Sequence, residues 1–188
     1  MGNVLNGPLM WFANRGTGVV LMALLTASVV LGVVSTTRPS SGWWPRFLTQ
    51  GLHRNLSLLA TTLLVAHVTT AVVDGYVDIR WWQAFVPIGA TYQPLWMGIG
   101  ALSLDLLAAV VVTSLIRRRL THGRWQAVHL MSYLAWALGL LHGLGIGTDS
   151  ATSWSRVTTI ACAGVVLFVA GVRVAGRLNP LRRNAVAP

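Results

Sequence analysis

Apolar residues run along this chain in long stretches instead of alternating with polar ones. The runs 19–34, 56–73, 95–116 and 160–172 carry few charges, and each approaches the ~20 residues that cross a hydrocarbon layer. A further apolar segment is interrupted chiefly by two histidines, His129 and His142. The pattern predicts helices at about 9–34, 53–74, 93–116, 124–146 and 156–175. The expected fold is therefore an all-α integral membrane protein, a five-helix transmembrane bundle forming a single domain over residues 1–188. Pro39, Pro45, Pro87 and Pro94 fall in or beside the connections, where residues that break helices belong. The connection 75–92 holds Trp81-Trp82, which predicts a short helix at the membrane interface. With Trp43-Trp44, Trp11, Trp96, Trp125 and Trp154, that pair marks two aromatic belts. The first apolar run shows no small-residue cleavage site, so it reads as a retained helix and not a signal peptide.

Composition agrees with the pattern. The chain is 54% hydrophobic and 10% charged, where a soluble domain carries about a quarter charged residues. All 14 basic residues are arginine and all four acids are aspartate, for a formal charge of +10. Such a charge can mean nucleic acid, but its distribution speaks against that partner and for a lipid bilayer. In the predicted topology eleven arginines share one side: Arg38, Arg46 and Arg54, then Arg117, Arg118, Arg119 and Arg124, then Arg173, Arg177, Arg182 and Arg183. Arg15, Arg80 and Arg156 lie on the other side, with Asp74, Asp78 and Asp149. The positive-inside rule then puts the N-terminus outside and the C-terminus in the cytoplasm. A single cysteine, Cys162, excludes an intramolecular disulfide and a cysteine-based metal cluster. No phosphate loop or glycine-rich dinucleotide fingerprint is present, so no flavin or nicotinamide site is expected in this chain.

Histidines carry the candidate chemistry. His53 and His67 are 14 residues apart, and His129 and His142 are 13 apart. At ~1.5 Å rise per residue each pair is separated by about 20 Å along its helix. His53 and His129 then lie near the inner face, His67 and His142 near the outer one. Ionisable side chains at membrane depth mark function, and two imidazoles facing one another saturate the axial positions of a haem iron. Fourteen residues are close to four whole turns, so His53 and His67 point nearly the same way. Thirteen are not: at ~100° per residue His142 is turned roughly 140° from His129. A kink or bulge at Gly139, Gly143 or Gly145 is the expected remedy. Arg54 and Arg124, with Arg15 at the other face, are placed to pair with haem propionates, although Arg15 reads equally as snorkelling to the interface. His122, seven residues before His129 in the arginine-rich connection, reads as an interfacial histidine ahead of a competing inner ligand. Asp105, mid-span, reads as a helix-packing hydrogen bond ahead of a proton relay.

The paired spacing on two helices resembles the ferric reductase-like transmembrane domain, shared by ferric reductases and NADPH oxidases. Leu52-His53-Arg54-Asn55-Leu56-Ser57 and Leu141-His142-Gly143-Leu144-Gly145 are similar to segments of small, stand-alone bacterial members. The resemblance implies two b-type haems, one held by His53 and His129 and one by His67 and His142. It implies a multi-pass protein of the bacterial cytoplasmic membrane, moving electrons outward beneath a cap of Tyr76, Arg80, Trp81, Trp82 and Tyr92. The family core has six helices and a cytoplasmic flavin domain, whereas five helices and no such domain are read here. The electron donor is then a separate flavoprotein or a quinol, and the acceptor an extracytoplasmic protein or ferric iron. Two other readings stay open: a quinol-oxidising anchor subunit for an extracytoplasmic oxidoreductase, and a non-catalytic membrane scaffold.

Overall fold

A computed structural model describes residues 8–37, 45–75, 77, 79–146 and 153–178. Five long helices make up nearly all of it: α1 (Pro8–Thr37), α2 (Arg46–Val73), α3 (Pro94–Leu115), α4 (His122–Ile146) and α5 (Ser153–Leu178). All five are long and apolar enough to cross a membrane. There is no strand among the described residues. Arg38, Trp43, Trp44, Tyr76, Asp78, Asp149, Arg182, Arg183 and the side chain of Arg177 lie outside the described residues.

The helices follow the expected bounds to within about three residues except at the start of α2. Pro45 holds extended backbone at the N-cap of α2, φ −68° and ψ 145°, which suits the residue before a first turn. The helix therefore opens at Arg46, two turns ahead of the expected 53, and His53 sits well inside it. At α3, Gln93 adopts the left-handed conformation (φ 42°) and Pro94 follows as the first helical residue, where its missing N–H leaves nothing unpaired. Trp81–Ala84 form the expected short helix, as one 3-10 turn.

Two antiparallel hairpins make the bundle. In the first, α1 lies along α2 so that Asn14 meets His67 and Ser28 meets His53. In the second, α3 lies along α4, with the Ser103 hydroxyl donating to the Ala135 carbonyl at 2.8 Å in the core. The buried indole of Trp136 on α4 joins the hairpins, its Nε1–H donating to Thr26 on α1 at 3.0 Å. Helix α5 packs against α1, where Arg173 donates to Thr36 at 2.6 Å. This pairing collects Arg46, Arg54, Arg117–Arg119, Arg124 and Arg173 at one end of the bundle. Large apolar side chains stay exposed along α2 and α5, among them Val65, Ile160, Leu167 and Phe168, a surface compatible with lipid as the surrounding solvent.

Helix α4 runs as unbroken α-helix from His122 to Ile146, so no bulge corrects the 13-residue spacing. The glycines expected to supply one serve close packing instead. A Cβ on Gly145 would strike the Trp96 ring, and one on Gly139 would lie 3.3 Å from the Ser103 hydroxyl.

Candidate histidine site

At the arginine-rich end, His53 and His129 face each other from α2 and α4. Their ring centroids are 6.1 Å apart and their planes cross at 73°. That angle is common to edge-to-face contact and to crossed axial ligands; the distance is the informative quantity. With metal–imidazole bonds of about 2 Å, two imidazoles on opposite sides of one ion have centroids roughly 6 Å apart. At the other end, His67 and His142 line one cavity of about 330 Å³, within the ~300–1,000 Å³ of ligand sites. Gly18, Gly100, Gly139 and Gly143 line it too, leaving room for a flat ligand near the helix backbones.

Three of the four rings are oriented by the same device. The Nδ1–H of His53 donates to the Ser28 carbonyl at 2.9 Å, that of His67 to Asn14 at 3.1 Å, and that of His142 to Trp96 at 2.8 Å. A neutral imidazole donating from Nδ1 presents Nε2 as a free acceptor or ligand atom. Four residues beyond each carbonyl stands a glycine: Gly32, Gly18 and Gly100. Side chains in a helix tilt toward its N-terminus, so a residue at that place would cover the carbonyl. The glycine uncovers it. A Cβ would come 3.5 Å from the His53 ring at Gly32 and 3.1 Å from the His67 ring at Gly18, and would overlap the His142 ring at Gly100. Asn14 completes its corner by donating to the His67 carbonyl at 3.0 Å and to Thr70 at 3.2 Å.

His129 lacks this cradle: its Nδ1 is buried without a hydrogen-bond partner. The ring instead stacks on Trp125, with centroids 4.9 Å apart and planes at 23°, and the Arg117 guanidinium covers the indole at 4.1 Å.

The remaining candidates are scattered. Arg15 lines the His67/His142 cavity and lies over Trp11 at 4.3 Å. Arg54 and Arg124 are exposed, and the guanidinium nearest the His53/His129 contact through Trp125 is that of Arg117. His122 lies against Trp125, with centroids 5.8 Å apart, while His129 meets His53. Asp105 is half-buried and makes no hydrogen bond among the described residues, so the expected link to a neighbouring helix is not there. Of the expected cap, Tyr92 lines the cavity together with Gln83. Trp81 is exposed, and Trp82 packs near Gly89.

The supporting carbonyls and glycines were missed from the sequence, yet one signal was present. Asn14 and Ser28 are 14 apart, as are Gly18 and Gly32, the same interval as His53 and His67. Among the described residues no three His, Cys, Asp or Glu side chains converge; the arginine-rich end brings two histidines together. A family model described as a domain of unknown function, DUF8596, matches residues 9–149. No curated protein matches the chain.

Proposed function

Given that the chain belongs to the DUF8596 family, whose function is undefined, we propose that it is a di-haem b-type membrane cytochrome, ferric reductase-like in its electron transfer. His53 and His129 hold one haem and His67 and His142 the other, each through Nε2. When bound, the haems supply one-electron redox centres at the two ends of the bundle. The observation that carries this reading is the pairing of four histidines across α2 and α4, with rings 6.1 Å apart at one end and a shared cavity at the other.

The chain's own part is orientation and insulation. Backbone carbonyls of α1 and α3 hold three rings in one tautomer, the second-shell contact that metal-ligating histidines ordinarily have. Arg15 lies where it can pair with a carboxylate in the cavity. Leu21, Leu25, Leu64 and Leu104 line the same space and give it apolar walls. The arginine bias supports a cytoplasmic arginine-rich end for a chain that is multi-pass in the bacterial cytoplasmic membrane. A separate flavoprotein or a quinol then donates at that end, and an extracytoplasmic protein or ferric iron accepts at the other.

A dithionite-reduced minus oxidised spectrum of the purified protein, with a pyridine haemochromogen assay, tests the reading. Sharp b-type bands are expected. A protein expressed with ample haem that shows none overturns it and favours the second reading, a scaffold. In that case the three Nδ1–H bonds to neighbouring helices serve only to tie the bundle together.

A further inference from the structure

The two histidine pairs are not equally secured, and the cause lies in the one-residue difference in spacing. His53 and His67, 14 apart, both face α1 and both find a carbonyl uncovered by a glycine. His142 finds the equivalent on α3. His129, 13 residues earlier, is rotated away from that face of α4 and turns toward His53. Helix α3 has nothing to offer it either. At the antiparallel register set by His142 and Trp96, the residue level with His129 is Ala109, and Val110 lies fourteen beyond Trp96 on the same face. The Thr113 hydroxyl donates to both carbonyls, to Ala109 at 2.7 Å and to Val110 at 3.2 Å. Thr17 donates likewise to the Asn14 carbonyl at 2.9 Å without barring His67, so it is the covering of the carbonyl that decides. No glycine uncovers them, because Thr113 and Ser114 stand four residues on. The groups nearest the ring do not help. The Trp125 indole is a donor only and is itself unpartnered, and the Arg117 guanidinium has no acceptor atom.

An Nδ1–H bond raises the basicity of a histidine ligand and fixes its ring, and losing such a partner lowers metal affinity about 10–100-fold. We infer that His129 is the exchangeable ligand of the bundle, so that the arginine-rich end is a binding site for a small neutral ligand of the carbon monoxide class. The His67/His142 end, with both rings anchored, stays saturated. The inference rests on the haem reading above.

Carbon monoxide titration of the dithionite-reduced protein is the test, read as the CO-induced difference spectrum in wild type, His53→Ala and His67→Ala. CO is expected to perturb one haem in the wild type, with that signal retained in His67→Ala. Two substitutions at Trp125 then set the direction. Trp125→Gln puts an amide carbonyl beside the His129 ring and is expected to weaken CO binding about tenfold relative to Trp125→Leu, which removes the indole without supplying an acceptor. CO binding at the His67/His142 haem in the wild type overturns the inference. So does equal CO affinity in the Gln and Leu variants at unchanged haem content. A wild type without haem bands overturns instead the cofactor reading beneath it.

Discussion

The two ends of this bundle use the same residues and differ in how those residues are held. At the cavity end, His67 and His142 each donate to a backbone carbonyl of a neighbouring helix, and each ring lies against a glycine. At the arginine-rich end only His53 is held so, while His129 is stacked on Trp125 with its Nδ1 unpartnered. A matched set of side chains is thus not matched in its supports. What distinguishes them is the backbone behind the imidazole: a carbonyl of the neighbouring helix with no side chain over it, four residues before a glycine.

That comparison can be broken selectively. The largest effect is expected from Gly100→Ala, whose methyl would overlap the His142 ring; haem content should fall by half in a haemochromogen assay, with the arginine-end haem retained. Gly18→Ala brings a methyl 3.1 Å from the His67 ring. It should speed transfer of the cavity-end haem to an apo-acceptor protein by about tenfold, the lower range for a disturbed ligand support. Trp136→Phe removes the buried bond to Thr26 that joins the hairpins. It should lower stability by about 1 kcal/mol in a denaturant titration and leave both spectra in place. The smallest effect is expected from Gly32→Ala, because a methyl 3.5 Å from the His53 ring is in ordinary contact; haem content should match the wild type and release should quicken less than in Gly18→Ala. If Gly32→Ala proved as severe as Gly100→Ala, steric clearance would not be what the glycines provide.

Much of this architecture was legible in the sequence, for a plain reason. A helix with lipid on one side must be apolar for about 20 residues, so hydropathy alone marks five spans. It marks their apolar middles and not their ends, which is why α2 begins at Arg46, set by Pro45, and not near His53. The pairing of His53 with His129 followed from depth. The supports did not, because a backbone carbonyl has no letter of its own. Only the antiparallel register reveals that Asn14 and Ser28 stand opposite His67 and His53. The 13-residue spacing looked like a fault that a bulge in α4 should mend. Helix α4 has no bulge; the two histidines simply meet different neighbours, His142 the Trp96 carbonyl and His129 the His53 ring. Arg54 and Arg124 are exposed at the same end of the bundle. Arg117 reaches the site through Trp125, which stacks on His129 because the two are four residues apart.

The most direct test of the two-pair arrangement is haem stoichiometry across single and double histidine variants. His67→Ala and His142→Ala should each lose the same one of two haems, and the double variant should lose no more. His53→Ala should lose the other, whereas His129→Ala should keep it on His53 with one position open, the weaker half of the same pair. If His67→Ala and His142→Ala instead removed different haems, or if all four variants kept the wild-type haem content, the histidines would not act as the pairs that α2 and α4 bring together.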